Sequence, residues 1–112
     1  MIIELGRLTQ DVKLMNITVD GAEQKVLNNR LAIGIGKDNA VFIDVSAWGA
    51  TAEFMARHFT KGSEIYLVGE IRNRQMKNKD DEAKPFTVPY IKINSIKFTH
   101  GKKDGDEMAV IN

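Results

Sequence analysis

The sequence predicts an all-β domain with one helix, closed into a small antiparallel barrel. Three observations predict it. Five long segments of strand-like apolar alternation fill most of the chain. Only residues 51–60 carry apolar side chains at helical spacing. That helix falls between the third and fourth strand segments, an order in which closure removes exposed sheet edges and the helix plugs one end. With 112 residues, 43% hydrophobic and 28% charged, the chain makes one domain with its own core. The bare pattern also fits a β-sandwich or a helix packed on an open sheet.

The first strand covers residues 2–9, with Gly6 a bulge or bend inside it, and residues 13–19 extend or continue it. Asp20-Gly21 signals a turn. The second strand, residues 25–36, places Leu27, Leu31, Ile33 and Ile35 on one face. Asp38-Asn39 makes a short turn into the third strand, residues 41–48. Val41, Ile43, Val45 and Ala47 share one face there, and Phe42, Asp44, Ser46 and Trp48 the other. The helix at 51–60 stripes Ala52, Met55, Ala56 and Phe59 at i, i+3, i+4 and i+7, with Thr51 as its cap and Gly62 in a left-handed position past its end. Residues 64–76 and 86–98 complete the strands, joined by a polar tip. Pro89 points to an edge or a bulge. Three strands, a helix and two strands is the order of the OB-fold, a five-stranded barrel. The folded domain is expected over 1–100 and a flexible polar tail over 101–112.

Composition excludes several classes. The absence of cysteine removes disulfides and thiolate metal sites and fits a reducing compartment. The N-terminus has no basic n-region, and no segment approaches the ~20 apolar residues of a membrane span, so a cytoplasmic location is expected. A net charge of +1 is uninformative, since placement of charge matters more than its sum. Gly34-Ile35-Gly36 lacks the third glycine and the following helix of a dinucleotide site; its glycines suit barrel bending or a close approach of backbone. His58 and His100 have no metal-ligand spacing around them, and no catalytic grouping is evident. Neither a cofactor nor an enzymatic activity is expected.

The third strand carries the strongest functional signal. Phe42 and Trp48 lie on the face opposite the apolar one, among Asp44 and Ser46. Rings on a polar face suit stacking by planar bases, worth roughly 1–3 kcal/mol per base; packing under the helix or against a neighbouring subunit is the competing explanation. On the fourth strand, Arg72, Arg74 and Met76 share a face. Two arginines at i, i+2 can track a phosphate backbone, and their guanidinium planes also stack on bases. Taken alone, these residues fit a solvated charged face with Glu70 nearby better than a phosphate track. The mixed-charge tip, which begins at Lys77, can close over a ligand strand or be a solvated turn.

Gly6-Arg7-Leu8-Thr9-Gln10-Asp11, Asn29-Arg30-Leu31-Ala32, residues 42–49, the helix followed by Lys61-Gly62-Ser63, and Gly69-Glu70-Ile71-Arg72-Asn73-Arg74 occur in an order and spacing that resemble the bacterial-type single-stranded DNA-binding protein family over residues 2–98. Val12 stands where the family usually has proline. The resemblance implies an OB-fold that assembles, usually as a homotetramer, and wraps single-stranded DNA without sequence preference in replication, recombination or repair, associated with the nucleoid. It implies stacking at Phe42, Trp48 and Met76, where many members carry tryptophan at the Met76 position. It implies phosphate contacts at Arg7, Arg30, Lys61, Arg72 and Arg74, with Lys77 at the edge of the same region. Many members have a further aromatic near residues 34–37, where this chain has none. The family's long linker and acidic tip are not matched at Met108-Ala109-Val110-Ile111-Asn112. The expectation is a truncated chain or a compact member of phage or mobile-element origin, without tail-mediated recruitment of repair enzymes. The competing function is an OB-fold protein-interaction module, such as a primosomal accessory subunit, that presents its aromatic face to another protein.

Overall fold

The computed structural model describes residues 1–34, 39–80 and 84–99. Its elements are β1 (Ile2–Leu8), β2 (Met15–Val19), β3 (Ala22–Gly34), β4 (Ala40–Trp48), α1 (Gly49–His58), β5 (Glu64–Met76) and β6 (Phe86–Phe98). They form one sheet in the order β1-β5-β6-β4-β3-β2. Backbone pairing of β1 with β3, Arg7 beside Ala32 and Leu8 beside Leu31, closes the sheet into a ring. This is the OB-fold expected from the sequence, with the helix between the strands now numbered β4 and β5. Two details refine the five-stranded antiparallel picture. The segment after β1 forms a separate strand, β2, hairpinned to β3. Strand β4 meets β6 in parallel, at residues 44–46 against 90–92.

The β2–β3 hairpin turns through Asp20 and Gly21, both with positive φ (51° and 80°). That pair of left-handed residues matches the twist of a two-residue hairpin. Gly6 needs its missing side chain for another reason. It pairs regularly with Ile65, so it is not a bulge; a Cβ there would lie 2.7 Å from the Ala32 carbonyl oxygen and 2.8 Å from Leu31 Cγ. The glycine is what lets β1 approach β3 and close the ring. Among the described residues the register shifts at Val68/Gly69 against β6. Pro89 faces Asn73 of β5 and lies just outside the stretch of β6, residues 90–92, that pairs with β4, an edge position of the kind proline tolerates.

The core gathers Leu8, Leu27, Leu31, Val45, Ala47, Ala52, Met55, Ile65, Leu67, Ile91 and Ile96, all buried. Each large member stabilises the fold by roughly 1.5–3 kcal/mol through burial. Asn29, also buried, is satisfied locally. Its Nδ2 donates to the Gln10 carbonyl (3.1 Å) and its Oδ1 accepts from the Gln10 and Arg30 amides (3.2 and 2.8 Å), which clamps the end of β1 to β3. The apolar face expected of β4 is buried at Val45 and Ala47 but not at Val41, which is 45% exposed where the strand leaves the barrel.

The helix begins two residues earlier than expected. Trp48 is its N-cap, in extended conformation and without a side-chain cap bond, and Gly49 turns the chain at φ +59°. Thr51, expected as the cap, lies inside α1 and is buried. Gly62 does adopt positive φ (91°), in a turn pinned to β1, where it donates its N–H to the Leu8 carbonyl (2.8 Å). Gly34 has open space around it and needs no close approach. Ile35, Gly36 and the tail expected over 101–112 lie outside the described residues.

Candidate functional site

Register places most of the candidate residues on one belt around the outside of the barrel. In one row across four strands, Arg30 on β3 lies beside Asp44 on β4, Asp44 beside Tyr90 on β6, and Tyr90 beside Arg72 on β5. The neighbouring row contains Ala32 and Phe42, with Arg74 opposite Val88. The next has Met76 opposite Phe86. Residues opposite one another across a ladder share a face, so Phe42, Arg30, Tyr90, Arg72, Arg74, Met76 and Phe86 all point outward together. The ring also brings Arg7 in from the other side: it pairs with Ala32, which pairs with Phe42. Two strand spacings, about 10 Å, separate Arg7 from Phe42 at the backbone.

Phe42 is 51% exposed, unusual for a large ring. The Arg30 guanidinium lies over it, 5.7 Å from the centroid, while also reaching Asp44 at 3.6 Å. Strands β4 and β6 diverge beyond Asp44 and Tyr90. A cleft of about 350 Å³ opens there, lined by Phe42, Ile43, Val88 and Pro89 with Arg30 and Asp44 at its rim. An exposed ring at the mouth of an apolar cleft with cations around it can hold a planar base and the phosphates on either side of it.

The cations differ in how they are held. Arg72 is paired with Glu70 at 3.1 Å, and that contact together with the guanidinium charge holds the Glu70 carboxyl below its usual range. Arg7 lies 3.9 Å from Glu64 and donates to the Gly62 carbonyl at 3.1 Å, which joins it to the turn that carries Lys61. Arg74 has no carboxylate partner among the described residues; its guanidinium lies over the Tyr90 ring, 4.7 Å from the centroid. Met76 is 41% exposed, and Lys77 follows it on the surface.

Trp48 lies apart from this belt. It shares the face of Phe42, but six residues along β4, about 20 Å away. There it is half-buried beside Val26 of β3, itself in register with Met15 of β2. The reading of single residues passed over Tyr90 and Phe86. Their period-two spacing with Val88 was visible, but only the parallel β4–β6 register puts that face next to Phe42. Among the described residues no group of three or more histidines, cysteines or carboxylates could hold a metal ion.

Comparison with known proteins bears on the family. The model of the single-strand binding protein family matches residues 1–99. A single-stranded DNA-binding protein 2 of Streptococcus agalactiae is 35% identical over 77 residues, covering 66% of this chain and 59% of that protein. A single-stranded DNA-binding protein 1 of Clostridium acetobutylicum is 28% identical over 107 residues, covering 92% and 96%. A single-stranded DNA-binding protein of Fusobacterium nucleatum is 29% identical over 113 residues, covering 91% and 68%. The matched segment thus spans about three fifths of the streptococcal relative's length.

Proposed function

We propose, on the premise that this chain belongs to the single-strand binding protein family, that it binds single-stranded DNA without sequence preference and protects it during replication, recombination or repair. The observation that carries the reading is Phe42, an exposed ring on an outer sheet face with Arg30 over it. Bases stack on Phe42 and Trp48, with Met76 a softer, weaker surface at the end of β5. Arg72, Arg74, Arg30 and Arg7 neutralise phosphates along the belt, with Lys61 and Lys77 at its two ends. Stacking and charge neutralisation read no base edge, so the binding is sequence-tolerant. Nothing in this role requires a catalytic step or a cofactor.

The working form is a homo-oligomer, in the family's manner a tetramer, acting at the nucleoid in the cytoplasm. Strand β1 supports this. It pairs with β5 along residues 2–7 and with β3 only at Arg7 and Leu8, which leaves a second edge open over residues 2–6 among the described residues. Ile3 and Leu5 stand exposed there, and an open apolar edge is a template for another strand. No helix among the described residues is long and apolar enough to cross a membrane.

The test uses Trp48, the only tryptophan. Its fluorescence is titrated with oligo-dT at low and high salt. Quenching that reverses with salt, with log K falling by roughly 0.7 per phosphate contact for each unit of log salt, is the expected result. Absence of binding at low salt would overturn the reading and turn attention to a protein partner for the same face.

A further inference from the structure

We infer that Tyr90, with Arg74 laid over it, is a further stacking contact of the belt and carries the bound strand from β4 across β6 to β5. The inference rests on the single-stranded DNA reading above and extends it to a residue no motif marks.

Three observations converge on Tyr90. The first is position. Tyr90 is flanked in register by Asp44 on one side and Arg72 on the other, and its register partner Asp44 and chain neighbour Pro89 both line the cleft at Phe42. Phe42 and Tyr90 are diagonal neighbours across adjacent strands, about 7–8 Å apart at the backbone. A strand leaving Phe42 for Met76 and Phe86 must cross β6, and Tyr90 is the first ring it meets there.

The second is the state of Arg74. The other belt arginines each have a carboxylate within 4 Å: Glu64 for Arg7, Asp44 for Arg30 and Glu70 for Arg72. Arg74 has no such partner among the described residues and lies over an aromatic face. An arginine held by a ring keeps its N–H groups for an incoming phosphate and its outer face for a base, and gives up no ion pair to do so.

The third is a deficit elsewhere. The end of β5 presents Met76, a thioether rather than a ring, and Gly34 at the end of β3 offers no side chain. A belt left with Phe42 alone near the cleft would hold its strand at one point. Tyr90 supplies the second point from β6, and Phe86, exposed beside Met76, continues the line.

The experiment measures anisotropy of labelled oligo-dT with the full chain and with Tyr90→Leu, Tyr90→Phe, Arg74→Gln and Phe42→Ala. The expected result for Tyr90→Leu is roughly tenfold weaker binding at fixed salt, with Tyr90→Phe within about twofold of the unsubstituted protein. Arg74→Gln is expected to make the salt slope shallower by about 0.7. Crosslinking of the unsubstituted chain to an oligonucleotide that carries 5-iodo-deoxyuridine, read by mass spectrometry, is expected to mark Tyr90. That readout needs no variant to fold and is blind to a bracing role for the ring. Tyr90→Leu binding at full strength while Phe42→Ala binds weakly, or crosslinks at Phe42 with none at Tyr90, would overturn this inference and leave the proposed function standing. No binding by the unsubstituted chain would overturn both.

Discussion

Strand β5 is one unbroken run of 13 residues, yet its two halves behave as different materials. From Glu64 to Gly69 it lies between β1 and β6, and Ile65 and Leu67 are fully buried. From Glu70 onward β1 has ended, β6 is the only neighbour in register among the described residues, and Ile71 is 50% exposed although it continues the same alternation. The difference teaches that side-chain alternation reports a face, not an environment. What buries a face is the wall across the barrel, and that wall stops before the strand does. The first half is core. The second is an arm whose outer face carries Arg72, Arg74 and Met76.

The sharpest break between the halves is a truncation in the closed one. Leu67→Ala is expected to destabilise the domain by about 2–5 kcal/mol, as for other fully buried leucines; chemical denaturation measures it. A loss below about 1 kcal/mol would mean the barrel is looser there than its burial implies. Phe42→Ala sits at the opposite extreme, on the arm side of β4. It should weaken oligo-dT binding roughly 5- to 100-fold, from the loss of one stacked base, while the denaturation midpoint stays close to that of the unsubstituted protein. A fall in stability as large as that of Leu67→Ala would make Phe42 a packing residue and remove the platform.

Ile71→Thr tests the arm directly. Pattern alone would count Ile71 with Ile65 and Leu67. Exposure predicts instead a change within about 0.5 kcal/mol, again by denaturation. The smallest expected effect belongs to Glu70→Gln. The Glu70 carboxyl holds Arg72, so on the proposed function its removal should strengthen oligo-dT binding by about twofold, the scale of an exposed ion pair. Because its pKa is lowered in the folded protein by the Arg72 contact, the pair adds stability above the carboxylate's ordinary range and loses it as pH falls through that range to the lowered value. The small stability difference between Glu70→Gln and the unsubstituted chain should therefore vanish in acid. Its persistence there would mean Glu70 acts through something other than its charge.

Much of this was legible in the residues. Alternation located every long strand, and the i, i+3, i+4 stripe of Ala52, Met55, Ala56 and Phe59 located the helix. The bounds of β5 and β6 match their expected ranges. The helix start did not, because Thr51 has the chemistry of a cap while Gly49, free to take positive φ, makes the turn. Gly6 was visible as special for the wrong reason: close approach of β1 to β3 is a nonlocal contact with no local signature. Phe42, Arg72 and Arg74 could be named because each stands on a polar face of its own strand.

By itself, then, the sequence determined the order of elements, the face on which each side chain stands, and membership in a family whose motifs it carries. Only the tertiary structure decided which of those faces adjoin. The parallel β4–β6 register placed Tyr90 between Asp44 and Arg72, and closure through β1 and β3 brought Arg7 within reach of Phe42. The reason is physical. Alternation is set within a strand by the geometry of the extended backbone, whereas register between strands distant in sequence is set by how the whole core packs.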